Sequence, residues 1–335
     1  MTDYRSAGVD LAAADRIVDA IRKDVTDTWR SDVVGSFGGF AAGIEVPAGY
    51  RSPVLMLSTD GVGTKAELAR QTGLLDGLGF DLVAMCVDDL AAAGARPLAM
   101  TDYLAIGSND EETVARLVAS VGRACVAAEC TLLGGETAIH PGVLDADQFD
   151  LAGTALGIVE RDRVIDGSAI RAGDAIVGLR SPNVRSNGFS LIRRAVVPNI
   201  DLDQPLPETE RSAAEVLLDP SPAYAPVVRR IVDGTVVHGL AHITGGGIAS
   251  NLSRILPPGL GAAVDTTSWE RPPVFDAVAT VGGVEPDEMW DVFNMGIGFV
   301  VVTPEPDAAS AIVDDSDATP FVIGRITSEA GVALR

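Results

Sequence analysis

Four short apolar runs of this chain each stop in a glycine-rich, polar turn, and no other feature limits the fold as much. PVLMLST at 53–59 runs into DGVG, TLL at 131–133 into GGET, AIVGL at 175–179 into SPNVRSNG, and Val236 to Thr244 into Gly245-Gly246-Gly247. A run too short for a helix and closed by glycine reads as a strand that delivers a loop. Polar groups then gather at strand ends, where α/β proteins build their sites. Between these runs, Leu82, Val83, Cys86 and Leu90 recur at helical spacing within 80–93, and Gly94 and Pro97 close the pattern. Ser108-Asn109-Asp110-Glu111 opens a second helix that reaches about Ala128. Strands are predicted at 98–106 and 149–160. After the polar stretch 160–173 the alternation restarts, with helices predicted at 189–196, 224–232, 248–256 and 274–280 and strands at 297–302 and 321–326. Two α/β units of similar length follow. No G-x-G-x-x-G turn closes the first strand, which argues against a dinucleotide-binding domain.

The 335 residues suit two domains, each with its own core. Net charge is −22, Lys23 and Lys65 are the only lysines, and the arginines form no stripe. That balance excludes nucleic acid and anionic membrane as partners, since a phosphate backbone needs clustered cations. The first residues lack a signal-peptide pattern and no run nears the ~18 apolar residues of a membrane span, so a cytoplasmic protein is expected. Cys86, Cys125 and Cys130 show no CxxC spacing and read as reduced, buried thiols.

Asp60, Asp88, Asp89 and Glu136 fall at glycine-rich strand ends or on the helix behind them. Carboxylates held together need a compensating cation, and Mg²⁺, which bridges carboxylates to substrate phosphates, is the natural one. Lys65 directly follows TDGVGT and reads as a phosphate partner. The turns SNG (186–188) and GGG (245–247) precede predicted helices, whose free N–H groups attract anions. No GxxxxGK[ST] motif occurs. His140 and His238 read as structural; His242, just before ITGGG, is the candidate for chemistry.

The blocks YRSAGVD (4–10), GSFGGF (35–40), STDGVGTK (58–65), FDLVAMCVDDL (80–90), GARPLAMTDYLA (94–105), LLGGETAIHPG (132–142), RSNGFSLIRR (185–194), AHITGGGIASNLSRILP (241–257) and FNMGIGF (293–299) together resemble the phosphoribosylformylglycinamidine cyclo-ligases, or aminoimidazole ribonucleotide synthetases, of the PurM-like superfamily. The resemblance keeps its order over nearly the whole chain. It implies an α+β protein of two domains: residues 1–165 bind ATP and Mg²⁺ and dimerise through strands that form a barrel shared across a homodimer, and residues 166–335 form an α/β domain on the substrate side. The implied reaction is ATP-dependent closure of an imidazole ring in purine synthesis, on small nucleotide substrates.

Position by position, the resemblance makes Asp60, Asp89 and Glu136 the magnesium and triphosphate acids, with Asp88 beside the metal. Lys65 and the backbone of Gly61, Gly63 and Thr64 would face the nucleotide phosphates, with Gly135 on the same side. Ser186, Asn187, Gly188, Thr244, Gly245, Gly246 and Gly247 would hold the substrate, Asn251 would add a contact, and Asp10 would belong to an arm closing over the site. Asp60, Lys65, Asp89, Asn187 and His242 would carry the chemistry. The chain departs from the family pattern at Arg185, where histidine is usual, at Ile139, where glutamate is usual, and at Asp88, where asparagine is common. Those departures leave two alternatives: another ATP-using enzyme of the superfamily, a small-molecule kinase or synthetase, or a silent nucleotide-binding dimer.

Overall fold

The structure, a computed structural model, describes residues 11–313 and 318–335, with side chains from Arg16 onward; Asp10 lies outside the described residues. The first half runs α1 (Leu11–Thr26), β1 (Val33–Val34), β2 (Gly43–Ile44), β3 (Pro53–Gly61), α2 (Lys65–Thr72), α3 (Leu78–Ala92), β4 (Arg96–Ile106), α4 (Glu111–Ala127), β5 (Thr131–Ile139) and β6 (Phe149–Glu160). Strands β3, β6, β4 and β5 form one sheet in that order, parallel only between β4 and β5. The apolar stripe of α3 (Leu82, Val83, Cys86, Leu90) is fully buried, as its helical spacing predicts. Helix α4 starts later than its sequence suggests, because Asp110 and not Ser108 supplies the cap: its Oδ1 accepts from Thr113 N at 3.0 Å. Strand β5 continues through the GGETA segment, because β4 offers it a parallel partner as far as Ile106↔Ile139. On the other face of this sheet, Ile44 and Tyr50 cover Leu98, Ala99 and Ile158. Leu55, Leu57 and Tyr103 on that face remain 55, 71 and 42% exposed.

The second half comprises β7 (Ala175–Arg180), α5 (Phe189–Leu191), α6 (Ala213–Leu217), α7 (Ala225–Gly234), β8 (Gly239–His242), α8 (Gly247–Ser253), β9 (Gly261–Val264), α9 (Pro273–Gly282), α10 (Pro286–Val292), β10 (Ile297–Thr303), α11 (Pro306–Ile312), β11 (Pro320–Thr327) and β12 (Gly331–Leu334). Its six-stranded sheet has the order β12-β9-β11-β7-β10-β8. The unbroken apolar run of β10 is buried at every residue, which a central strand covered on both faces requires. The helix expected over 189–196 is split into the single turn α5 and a π-type turn over Ile192–Val196, ahead of Pro198, which cannot continue a helical ladder. No helix among the described residues is long and apolar enough to cross a membrane.

Helix α3 joins the halves. Asp81 and Asp88 lie seven residues apart, on one side of the helix, and both are fully buried. Asp81 accepts from Ser221 N at 3.1 Å and from Ser221 Oγ. Asp88 Oδ1 accepts from Tyr224 N at 2.7 Å and Ala225 N at 2.9 Å, so a carboxylate of the first half caps the first turn of α7 in the second.

Candidate functional site

Asp60, at the end of β3, and Asp89, on the exposed side of α3, face each other across the junction of sheet and helix. Asp60 Oδ1 accepts from Gly61 N at 2.7 Å. Burial pushes its carboxyl up, the Gly61 bond pulls it down, and the charge of Asp89 raises it further. Asp89 Oδ1 accepts from His242 Nδ1 at 2.9 Å and its Oδ2 from Ser58 Oγ at 3.3 Å. Burial acts upward on Asp89 too, but the His242 and Ser58 donors and the charge of Arg254 hold it below the ordinary value. The result is two adjacent carboxylates with unequal proton affinity, one of them held by donors on both oxygens.

Loops of the second half close the other side. Thr64 Oγ1 lies 3.2 Å from Ser190 Oγ, which ties the turn before α2 to α5, at the end of the loop that follows β7. In that loop Ser186 Oγ is buried and has no hydrogen-bond partner among the described residues. A side chain on Gly245 would come within 4.0 Å of Asn187 Nδ2, so the SNG and GGG turns sit against each other. The last two glycines of the triplet are required by shape: Gly246 has φ +96° and Gly247 φ +63°, and a Cβ on Gly247 would lie 1.9 Å from Trp290 O. Asn251 is committed to this turn and not to a substrate. It is 3% exposed, and its Nδ2 donates to Gly247 O at 2.8 Å, Thr244 O at 3.2 Å and Gly245 O at 3.3 Å.

Three further expectations are corrected. Lys65 does not stand open at the loop it follows: it is fully buried, paired with Asp81 at 2.7 Å, and donates to Asp219 O at 2.8 Å and Arg185 O at 3.1 Å. Burial pushes Lys65 down and Asp81 up, and the charge of each opposes the shift of the other. Asp88 has no oxygen left free for a metal, with Oδ1 on the start of α7 and Oδ2 on Arg185 Nη2 at 2.7 Å. Glu136 is not gathered with Asp60 and Asp89. Asp60 stands opposite Gly153, Gly153 opposite Asp102, and Asp102 opposite Gly135, and three strand spacings make ~14 Å.

Gly135 and Glu136 instead line a cavity of about 520 Å³ with Phe37, Phe40, Val118 and Asp102. Asp102 is the residue that sequence reasoning missed. Burial pushes its carboxyl up to about 7, and a Cβ on Gly135 would lie 1.9 Å from its Oδ1. The signal was the acid inside the apolar strand LAMTDYLAI, a position that strand burial makes costly. His238 Nδ1 is 2.8 Å from Asp174 Oδ2, and His140 Nε2 is 3.4 Å from Tyr103 Oη; both lie away from the acidic pair. Cys86, Cys125 and Cys130 are free and buried, and burial pushes Cys86 up to about 12, far from a reactive thiolate.

Among the described residues no three His, Cys, Asp or Glu side chains are grouped to hold a metal ion. Asp60 and Asp89 supply hard oxygen donors only, and His242 has both ring nitrogens within hydrogen-bond distance of protein groups. That donor set fits Mg²⁺, which takes one or two carboxylates and completes its shell with water and substrate phosphate.

The family described as AIR synthase related protein, N-terminal domain, matches residues 43–159, and AIR synthase related protein, C-terminal domain, matches residues 171–335. A phosphoribosylformylglycinamidine cyclo-ligase of Prochlorococcus marinus (strain NATL2A) is 42% identical over 312 residues, which cover 92% of this chain and 90% of that protein. Among solved structures, thiamine-monophosphate kinase from Stenotrophomonas maltophilia K279a superposes with a TM-score of 0.70 at 20% identity, covering 96% of this chain and 95% of that one. The hydrogenase maturation protein HypE in complex with ATP gives 0.68 at 20% identity, covering 96 and 91%. These two likenesses show a shared two-domain fold. Identity at this level along nearly the full length, with both domain families in order, places the chain in the phosphoribosylformylglycinamidine cyclo-ligase family.

Proposed function

We propose that this protein closes the imidazole ring of formylglycinamidine ribonucleotide with ATP, giving 5-aminoimidazole ribonucleotide, ADP and phosphate, as a cytoplasmic homodimer. Membership of the family carries the reading, and the Asp60–Asp89 pair beneath loops of both domains supports it. An amide oxygen leaves poorly until it carries phosphate. Phosphorylation of the formyl oxygen forms an O–P bond, attack by the amidine nitrogen forms the ring C–N bond, and the oxygen departs with the phosphate. The closure is intramolecular, and positioning supplies up to ~7–11 kcal/mol of such a barrier. The demand on the protein is therefore phosphoryl transfer and orientation.

Asp60 and Asp89 would hold Mg²⁺, whose charge would offset that developing on the transferred phosphoryl group. The exposed backbone of Gly63 and Thr64 would face the triphosphate, with Gly61 held on Asp60. Ser186 and Asn187, beside Gly188, and the turn Thr244–Gly247 would orient the substrate, and the unpartnered hydroxyl of Ser186 supports that role. Gly135, Glu136 and Asp102 would line the nucleotide end in the 520 Å³ cavity. We place the division between the two domains near residue 165, within the segment 160–170 that neither family match covers. The homodimer reading rests on the helix-free face of the first sheet, where Leu55 and Leu57 are more than half exposed and would cost water-exposed apolar area in a monomer. The decisive experiment follows ADP and 5-aminoimidazole ribonucleotide together from ATP, Mg²⁺ and formylglycinamidine ribonucleotide. Equal amounts establish the cyclo-ligase; ADP without the imidazole overturns it.

A further inference from the structure

Arg185 is the largest fully buried side chain in the described protein. Its backbone holds φ +59°, a left-handed conformation that an arginine adopts only under constraint. Its guanidinium is spent in several directions. Nη2 donates to Asp88 Oδ2 at 2.7 Å and Pro222 O at 3.2 Å, Nη1 meets His242 Nε2 at 2.8 Å and donates to Gly298 O at 3.2 Å, and the cation lies 4.9 Å from the centre of the Tyr224 ring.

A guanidinium has five N–H donors and no acceptor, so the contact with His242 has one sense only. Nη1–H donates and Nε2 accepts, which means that Nε2 carries no proton. The imidazole proton then sits on Nδ1, where it points to Asp89 Oδ1 at 2.9 Å. A neutral histidine in solution divides between two tautomers; here the arginine selects one. The hydrogen bonds run from Asp88 to Arg185 in the second domain, on to His242 at the end of β8, and back to Asp89, the neighbour of the residue where they began.

We infer that Arg185 is a positioning residue of the acidic site: by fixing the His242 tautomer it keeps an N–H donor on Asp89 Oδ1 and so sets the face that this carboxylate presents to Mg²⁺–nucleotide. Asp88 neutralises the buried cation, and its second oxygen fixes the guanidinium plane through α7. His242 is accordingly no proton shuttle, because neither ring nitrogen is left for a substrate. The role rests on the reading of Asp89 as a magnesium-facing carboxylate, whereas the tautomer does not.

The test has two arms. The wild-type protein labelled with ¹⁵N-histidine contains only three histidines, and long-range ¹⁵N–¹H correlation spectra distinguish the tautomers, with a His242→Gln sample assigning the signal. The Nδ1–H form is expected for His242, and the Nε2–H form overturns the inference outright. For the second arm Asp88→Asn and Arg185→Met are combined, so that neither charge is left alone in the interior. Affinity for a non-hydrolysable ATP analogue is measured by calorimetry with and without Mg²⁺, alongside Asp89→Asn. Outer-shell partners of metal ligands contribute about 10–100-fold, so a weakening in that range is expected with Mg²⁺ and none without it. Loss in Asp89→Asn with none in the folded double variant overturns the relay alone. No loss in either variant overturns the reading of the acidic site, and the role of Arg185 with it.

Discussion

Replacing Lys65 by methionine separates the two roles open to this lysine. In the structure it is fully buried against Asp81, so the substitution strands a carboxylate in the interior. Removing one partner of a buried pair costs about 3–5 kcal/mol. Asp81 keeps two donors from Ser221, which places the loss near the lower end, ~3 kcal/mol, or a fall of roughly 6–12 °C in melting temperature at ~2–4 °C per kcal/mol. The loss depends on pH in a defined direction. Burial already raises the Asp81 carboxyl, and without Lys65 nothing cationic beside it opposes that shift. The folded state then binds the proton more tightly than the unfolded chain, so stability of the variant falls as pH rises through the raised folded-state value, by at most ~1.4 kcal/mol per pH unit. Urea unfolding at pH 5 and pH 8 measures both effects, and Asp81→Asn in the same chain should recover part of the loss. A Lys65→Met protein with the wild-type unfolding midpoint and greatly weakened nucleotide binding would refute the argument and return Lys65 to the phosphates.

Asp60→Asn is expected to fold normally and to lose more than the about 10–100-fold typical of an outer-shell partner at saturating ATP; unchanged turnover removes it from the metal site. Asp102 has a carboxyl pushed up to about 7 by burial, so ionising it destabilises the folded state as pH rises towards that value. Asp102→Asn should therefore raise the melting temperature at pH 8 and leave it nearly unchanged at pH 4, and a gain of equal size at both would contradict the burial argument. Leu57→Glu places a charge on the exposed apolar face of the first sheet and should shift sedimentation from dimer to monomer; an unaltered dimer would move the interface elsewhere. Native Cys86 should react with a thiol reagent only as fast as the protein opens, and a fast reaction in folded protein would count against its burial.

The strands that carry loops were legible because each couples an apolar run to glycine, and α3 was legible from its stripe. What periodicity could not separate was Asp88 from Asp89. Adjacent residues on a helix point about 100° apart, and here one side meets the second domain while the other meets the site. Lys65 misled for a related reason: its position after TDGVGT marks a loop, but whether a residue that opens a helix turns outward or inward depends on Asp81, sixteen residues on in a different helix. Asn251 was expected as a contact only through the resemblance, yet a turn with Gly246 and Gly247 in left-handed conformations needs its carbonyls satisfied, and this buried amide meets that need. Arg185 was visible only as a departure from its family. Its partners are distant by 97 residues at Asp88 and 57 at His242, separations that a local pattern does not span.

The face of α3 that carries Asp81 and Asp88 has a consequence for biosynthesis. Their partners Ser221 and Tyr224 are made 140 and 136 residues later. On the ribosome, the first domain therefore emerges complete in its own sheet and helices but with two acids awaiting donors on its surface. Both lack these donors until segment 219–225 clears the exit tunnel, and of the three acceptors of Lys65, Asp81, Arg185 O and Asp219 O, the last is made only at that point. Arrest of translation between residues 165 and 220 should thus yield a nascent chain more open to protease than the finished protein, with the protection of the early residues set by the arrival of the late ones.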